Sequence, residues 1–366
     1  MNLAEPLQSA GRTSIRLNGC KLAYFAGCDY FRLSSHPRVL KAATRAIKQL
    51  GLNVAASRVT TGNNPVYAAL EAELAHFFDS PTATLAPNGY SPNLIVAQAL
   101  AGQYSHVLLD ERAHASLLDA AQLLDCPVVR FRHRDPDDLA RALERLGTTR
   151  PILLTDGLFA HDGSVAPLNK YLQLLPAEAM VLLDDAHGAG LLGTHGRGTP
   201  EHAGVSRKRL IQTITLSKAF GVFGGAILGP PALRHDIIER SRLFIGSTPL
   251  PPPLAAAALA AAKILRTDRQ LRPRLARNAN YVKNRLRAAG FPLPNNPGPV
   301  VAISFPHLTQ TNLLKRSLLS ARIHPPFIRY PGGPPEGAFR FVISSEHTRA
   351  QLDVLLDVLI PFAPDA

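Results

Sequence analysis

Val181-Leu182-Leu183-Asp184-Asp185-Ala186-His187-Gly188 is a short apolar run that passes directly into two carboxylates and an imidazole. A run of that length, bounded by polar and turn-forming residues, reads as a strand buried on both faces, the habit of parallel sheets covered by helices. Open α/β sheets bind ligands at the carboxyl edge of their strands, so the residues ending this one stand where chemistry is done. If the strand continues, Asp184 and Asp185 point to opposite faces, and at most one serves a given site. Taken alone, the stretch also fits a turn in which an Asp side chain bonds the backbone.

Outward from this strand, residues 84–229 alternate short apolar runs with helical stretches, the pattern of a largely parallel sheet. Strands are expected at 107–109, 128–131, 152–154, 181–183, 213–216 and 226–228, and helices at 115–124 and 136–146. Asp135-Pro136 marks a helix start, with Pro pre-set for the first turn and Asp accepting orphan amide protons. Residues 254–289 read as long helices. The Pro-rich stretch 291–299 then precedes a second pattern of strand, helix, strand and helix at 300–305, 311–321, 339–344 and 348–360. The expected organisation is an N-terminal arm at 1–40, a large domain at 41–245, and linking helices with a smaller α/β domain at 246–366.

Composition narrows the class. With 46% hydrophobic and 18% charged residues in 366, the chain can bury a sizeable core and does not read as disordered. The longest alanine-rich run, 254–265, is too short for a membrane span. No basic-then-apolar leader follows Met1, so a cytoplasmic location is expected. Cys20, Cys28 and Cys126 have neither metal-ligand nor redox-pair spacing, so reduced thiols are expected, with no disulfide and no metal site. Lys and Arg outnumber Asp and Glu by 40 to 27, which favours polyanionic partners such as phosphorylated coenzymes or acidic carrier proteins. The basic residues are dispersed and lack the aromatic interleaving of RNA readers, so no nucleic-acid partner is expected.

Three further stretches carry candidate chemistry. Thr213-Ile214-Thr215-Leu216-Ser217-Lys218 ends a strand in a lysine flanked by hydroxyls, with glycines following at 221, 224 and 225. An amine in a partly enclosed site can lose its proton and form a Schiff base with a carbonyl cofactor, although a solvated surface lysine is the commoner case. Pro87-Asn88-Gly89-Tyr90-Ser91-Pro92 is a turn before a helical run, where backbone amides and a helix dipole could receive a phosphate. An ordinary loop accounts for it equally well. His114 follows the strand end at Asp110 and could lie on an aromatic ring or serve simply as a satisfied polar residue.

The order and spacing of these motifs resemble the α-oxoamine synthases, a family of fold-type I pyridoxal-phosphate (PLP) enzymes. The resemblance runs from Asp29-Tyr30, Leu33-Ser34 and His36-Pro37 through Ala56-Ser57-Arg58, Thr61-Gly62-Asn63 and His114-Ala115-Ser116-Leu117. It continues in Asp162-Gly163, Asp184 to Gly188, Gly196-Arg197-Gly198, Lys218, Ser247-Thr248-Pro249, Arg340 and His347-Thr348. It implies an α/β fold: a large domain with a mostly parallel seven-stranded sheet, and a smaller C-terminal domain. Lys218 would hold the PLP as a Schiff base and act as base; Asp184 would pair with the pyridine nitrogen, His187 with the ring hydroxyl, and His114 would stack on the ring. Gly89, Tyr90, Thr215 and Ser217 would contact the cofactor, with Thr248 supplied by the other subunit of a homodimer. Arg340 would clamp the substrate carboxylate, with Cys28 and Ser57 also at the substrate.

The implied reaction is decarboxylative condensation of an amino acid with an acyl thioester, carried on coenzyme A or on an acyl carrier protein, to give an aminoketone. Ala56-Ser57-Arg58, Thr61-Gly62-Asn63 and Pro325-Pro326 are most similar to the subgroup that makes the biotin precursor from alanine and a pimeloyl thioester. A glycine-using acetyltransferase, a carrier-dependent synthase of secondary metabolism, and a non-catalytic basic binding protein on the same scaffold are the alternatives. The chain departs from the family pattern at Cys28, where Asn is usual, and at Arg32, where Gly is. Asp156, Ala160 and Tyr67 stand where Glu, Ser and His are common.

Overall fold

The structure, a computed structural model, describes residues 5–147, 150–329, 334 and 336–364. The chain forms two compact units: Pro37–Phe159 with Ser164–Asp268, and Met1–His36 with Ala160–Gly163 and Arg269–Ala366. The second unit opens on an antiparallel meander of β1 (Gln8–Ser9), β2 (Ser14–Leu17) and β3 (Cys20–Ala23).

The larger unit holds the seven-stranded sheet. Its strands are β4 (Thr82–Ala86), β5 (Val107–Asp110), β6 (Val128–Phe131), β7 (Ile152–Asp156), β8 (Met180–Asp184), β9 (Leu210–Thr215) and β10 (Gly225–Gly229), in the order β4-β10-β9-β8-β7-β5-β6. From β6 to β9 the neighbours run parallel, and β10 runs antiparallel to both β4 and β9. Each expected strand in this unit forms; β4 was not among them, because Thr82 and Thr84 break its apolar pattern. Side-chain alternation sorts the strands' residues onto two cores. Leu109, Leu154, Leu182 and Ile211 pack with Ile95 and Leu117, from α3 (Ser91–Ala99) and α4 (Ala115–Leu123). Leu108, Leu153, Val181, Leu183 and Leu210 pack on the opposite face with Leu139 of α5 (Pro136–Leu146). Both faces are thus covered, as the unbroken apolar runs require. Helix α5 begins as expected: Asp135 caps it by accepting the Asp138 N–H at 2.9 Å.

The remaining helices of this unit include α1 (Pro37–Leu50) and α2 (Pro65–Phe78), against which the helix Pro252–Thr267 packs through Ala255, Ala258, Ala261 and Ala262. Short side chains let the helix axes approach closely. That contact places Pro252–Thr267 in the larger unit, so the boundary falls at Asp268 and not at the expected 245.

In the second unit, β11 (Val300–Ile303), β12 (Phe327–Ile328) and β13 (Ala338–Val342) form an antiparallel sheet ordered β11-β13-β12. Helices Leu271–Ala288, Leu308–Ser320 and Arg349–Leu359 bury Leu286, Leu314 and Leu355 with Phe339 and Phe341 of the sheet. The first residues are not a separate arm. Phe25 belongs to this core, Ala23 N–H donates to the Arg322 carbonyl at 2.7 Å, and Val342 N–H donates to the Phe25 carbonyl at 2.7 Å.

Candidate active site

Strand register aligns the polar strand ends in one row. Asp156 on β7 pairs with Asp184 on β8, and Asp184 pairs with Thr213 on β9. In-register neighbours in a sheet project to the same face, so Asp156 and Asp184 both face α3 and α4. Asp185 faces the other way. Its carboxylate accepts from Thr199 Oγ1 at 2.7 Å, Thr199 N–H at 2.9 Å and Gln212 Nε2 at 2.6 Å, and burial pushes its carboxyl up to about 7. Of the adjacent acids, Asp184 alone lines the cavity.

That cavity, of about 140 Å³, is bounded by Gly89, Tyr90, His114, Asp156, Asp184, Ala186, His187, Thr215 and Lys218. Asp184 is held as an acceptor on both oxygens: Oδ2 takes the Asn93 Nδ2 proton at 2.7 Å and the Ser116 hydroxyl at 3.3 Å, and Oδ1 takes the Ala186 N–H at 3.1 Å. Asn93 is itself oriented by Thr213, whose hydroxyl donates to Asn93 Oδ1 at 2.6 Å. His114 caps α4: its Nδ1 lies 2.8 Å from Ser116 Oγ, and its backbone N–H donates to Asp156 Oδ2 at 2.8 Å. Burial, with the nearby Lys218 ammonium, lowers the His114 imidazole's affinity for a proton, so the ring is neutral near pH 7. Burial and the Asp184 charge push the Asp156 carboxyl well above the usual carboxylate range. Tyr90 donates to Asp119 Oδ2 at 2.5 Å, which raises its hydroxyl to about 12.

Several expected site residues are not among those lining this cavity. Ser217 is exposed beside Lys218 and gives its N–H to Thr215 Oγ1 at 3.1 Å. Ser57 donates to the Ile245 carbonyl at 2.5 Å, and Thr248 is exposed before the helix Pro252–Thr267. Cys28 and Arg340 belong to the smaller unit, where Arg340 Nη1 meets Cys28 Sγ at 3.7 Å and Nε donates to the Ala160 carbonyl at 3.0 Å. Arg32, also in that unit, is buried and donates to the Tyr24 carbonyl at 2.9 Å. The Tyr90 N–H already has a partner, Asn88 Oδ1 at 2.8 Å, with which a phosphate would compete.

Sequence reasoning missed Asn93 and Ser116 as site residues. Asn93 is a polar residue opening the apolar run Leu94-Ile95-Val96, and a buried polar group inside a helix needs a partner. Ser116 was in view in His114-Ala115-Ser116-Leu117 but carried no role there. Asp156 was noticed only as a departure from the family pattern, and register brings it beside Asp184.

The model of the aminotransferase class I and II family matches residues 26–359. The 8-amino-7-oxononanoate synthase of Thioalkalivibrio sulfidiphilus is 36% identical over 348 residues, covering 94% of this chain and 88% of the relative. The chain belongs to the α-oxoamine synthases. A solved serine palmitoyltransferase from S. paucimobilis, with a bound PLP–myriocin aldimine, superposes on this α-oxoamine synthase with a TM-score of 0.90 at 28% identity, covering 97% of this chain and 90% of that one. The 8-amino-7-oxononanoate synthase of Francisella tularensis superposes with a TM-score of 0.79 at 26% identity, covering 93% and 97%. The chain is thus a PLP-dependent acyltransferase, of a family that takes amino acids and acyl thioesters as substrates. Among the described residues, no helix is long and apolar enough to cross a membrane.

The cavity fits that cofactor. A Cβ built on Gly89 would stand 2.3 Å from Thr215 Oγ1, so the backbone there is open only because the residue is glycine, as a phosphate cradle needs. Gly89→Ala is expected to weaken PLP binding about 10- to 100-fold, the worth of one charge-assisted hydrogen bond. Fluorescence titration of the apoprotein with PLP measures it; an unchanged Kd would remove Gly89 from the phosphate site.

Proposed function

We propose that this α-oxoamine synthase condenses alanine with a pimeloyl thioester, releasing carbon dioxide and a free thiol and yielding 8-amino-7-oxononanoate. The observation that carries the reaction class is the cavity in which Lys218, Asp184 and His114 meet beside the open Gly89–Thr215 backbone. The choice of substrates rests on relatives. The curated proteins named 8-amino-7-oxononanoate synthase from Thioalkalivibrio sulfidiphilus and Methylococcus capsulatus are 36% and 33% identical across most of the chain.

Bound PLP supplies an electron sink for the carbanion at the amino acid's α-carbon. The chain's residues do the rest. Lys218 would hold the cofactor through its amine and, once freed from it, take the proton from the α-carbon. Asp184, fixed by Asn93, Ser116 and the Ala186 amide, would keep a proton on the pyridine nitrogen. His187 would bond the ring oxygen, and the neutral His114 would cover the ring face. Gly89, Tyr90, Thr215 and Ser217 would bind the phosphate end, joined in a homodimer by Thr248 of the partner subunit. Arg340 would clamp the substrate carboxylate through its planar fork, near Cys28, with Ser57 also at the substrate.

A thiol-release screen of alanine, glycine and serine against pimeloyl, acetyl and palmitoyl thioesters tests the reading. Alanine with the pimeloyl donor is expected to exceed every other pair in kcat/KM by about tenfold or more, the discrimination a methyl group or a misfitted chain gives. Preference for glycine with the acetyl donor would move the chain to another branch of the family.

A further inference from the structure

Lys283, on the helix Leu271–Ala288, is 3% exposed, an unusual position for an ammonium. Its three protons go to three oxygens of one stretch of chain: Asn296 Oδ1 at 2.6 Å, the Asn296 carbonyl at 3.0 Å and the Gly298 carbonyl. Burial and the nearby Arg287 charge push the amine down to about 8, which leaves it an ammonium near pH 7. An ammonium only donates, so it fixes Asn296 in one orientation, with Oδ1 towards Lys283 and Nδ2 away from it. Nδ2 then donates to the Asp162 carbonyl at 2.5 Å. Gly163, at φ 73°, completes this turn, and a Cβ there would stand 3.1 Å from Asn296 Nδ2. Two residues before Asp162, the Ala160 carbonyl accepts Arg340 Nε at 3.0 Å. Packing does not hold the turn in place, since a cavity of about 60 Å³ with Asp162, Lys283, Leu293 and Asn296 in its wall lies beside it. Nor does core stability call for Lys283: methionine would fill the same length without the cost of burying a charge.

We propose that Lys283 and Asn296 are positioning residues for Arg340, holding the Ala160–Gly163 turn so that the Arg340 guanidinium presents a fixed fork to the substrate carboxylate. The inference rests on the reading of Arg340 as the carboxylate clamp and adds what orients it. Strand β13 fixes only the Cα of Arg340, and the long side chain beyond it needs a second anchor. A planar fork grips a carboxylate with two parallel bonds at one angle only, and the bond from Nε to Ala160 sets that angle. Nη1 lies 3.7 Å from Cys28 Sγ, a weak acceptor, and Nη2 is buried with no hydrogen-bond partner among the described residues. Both terminal nitrogens thus keep bonding capacity for an anion.

Two variants test it in the PLP-loaded enzyme. Asn296→Asp keeps an acceptor for Lys283 but sets an oxygen against the Asp162 carbonyl, and Lys283→Met frees the Asn296 amide to flip. Each is expected to raise KM for alanine about 10-fold, while kcat and KM for pimeloyl-CoA stay within about twofold, the pattern of a weakened carboxylate contact made equally in ground and transition states. Leu293→Ala, in the wall of the same cavity but outside the hydrogen-bond chain, should lower Tm and leave KM for alanine within about twofold. A second measurement follows the clamp without substrate. In holoenzyme carrying isotope-labelled arginine, the Arg340 Nε–H magnetic-resonance signal, assigned by its loss in Arg340→Lys, should exchange with water about 10-fold faster in both variants than in the wild type. Unchanged exchange in both variants overturns the proposal, as does a rise in KM that Leu293→Ala reproduces. Should Arg340→Lys leave KM for alanine unaltered, the clamp itself falls, and the exchange measurement still decides whether Lys283 and Asn296 hold that side chain.

Discussion

Lys218→Ala is expected to lower kcat for thiol release by at least ~10³-fold, since a positioned base that also anchors the cofactor is lost together with its proton transfer. Lys218 is the one amine among the described residues lining the cavity, so no neighbour there can replace it. The variant should stay folded, because Lys218 lies in the bend after β9, half-buried, while its neighbours Ala219 and Phe220 supply the local core. Two measurements decide the matter. Borohydride reduction of the wild type in PLP should fix the cofactor's mass on the peptide containing Lys218, and the variant should show no such adduct. A variant that retained more than a tenth of kcat would end the assignment.

The second large effect concerns the paired acids at the end of β8. Asp184→Asn is expected to reduce kcat about 10²- to 10³-fold, because a neutral amide cannot keep the pyridine nitrogen protonated in a buried site. Asp185→Asn should leave kcat within about threefold. Its side chain faces Thr199 and Gln212, where an amide oxygen can still accept the Thr199 N–H and the Gln212 Nε2 proton. Steady-state thiol release on the two variants, with PLP content checked by absorbance, makes the comparison. Equal losses at both positions would show that the strand end matters only as a structural turn.

The contrast between Asp184 and Asp185 also shows how much was legible beforehand. Strand periodicity said that only one of them could serve the site, and β8 forms where its apolar run stands. Which one could be read only by resemblance, since an alternating pattern does not say which face meets α3 and α4. Asp156 gave less away: nothing near it in the chain marks it as a neighbour of Asp184, and register alone pairs them. The arm expected at 1–40 failed for a related reason. Its short strands pair with one another, but the bonds that tie them to the rest of the smaller unit, such as Ala23 N–H to the Arg322 carbonyl, reach almost three hundred residues along the chain.

Local chain chemistry thus determined the elements and their ends: apolar runs buried on both faces, the Asp135 cap, the open backbone at Gly89, and Lys218 at a strand terminus. These follow from forces that act within a few residues, namely steric limits on the backbone, capping hydrogen bonds and hydrophobic periodicity. Tertiary structure alone decided which carboxylate is held by Asn93 and Ser116, how Asp156 comes to share the cavity, and where the units divide. Those outcomes depend on strand register and helix packing, which join residues far apart in sequence and leave no mark on either partner alone.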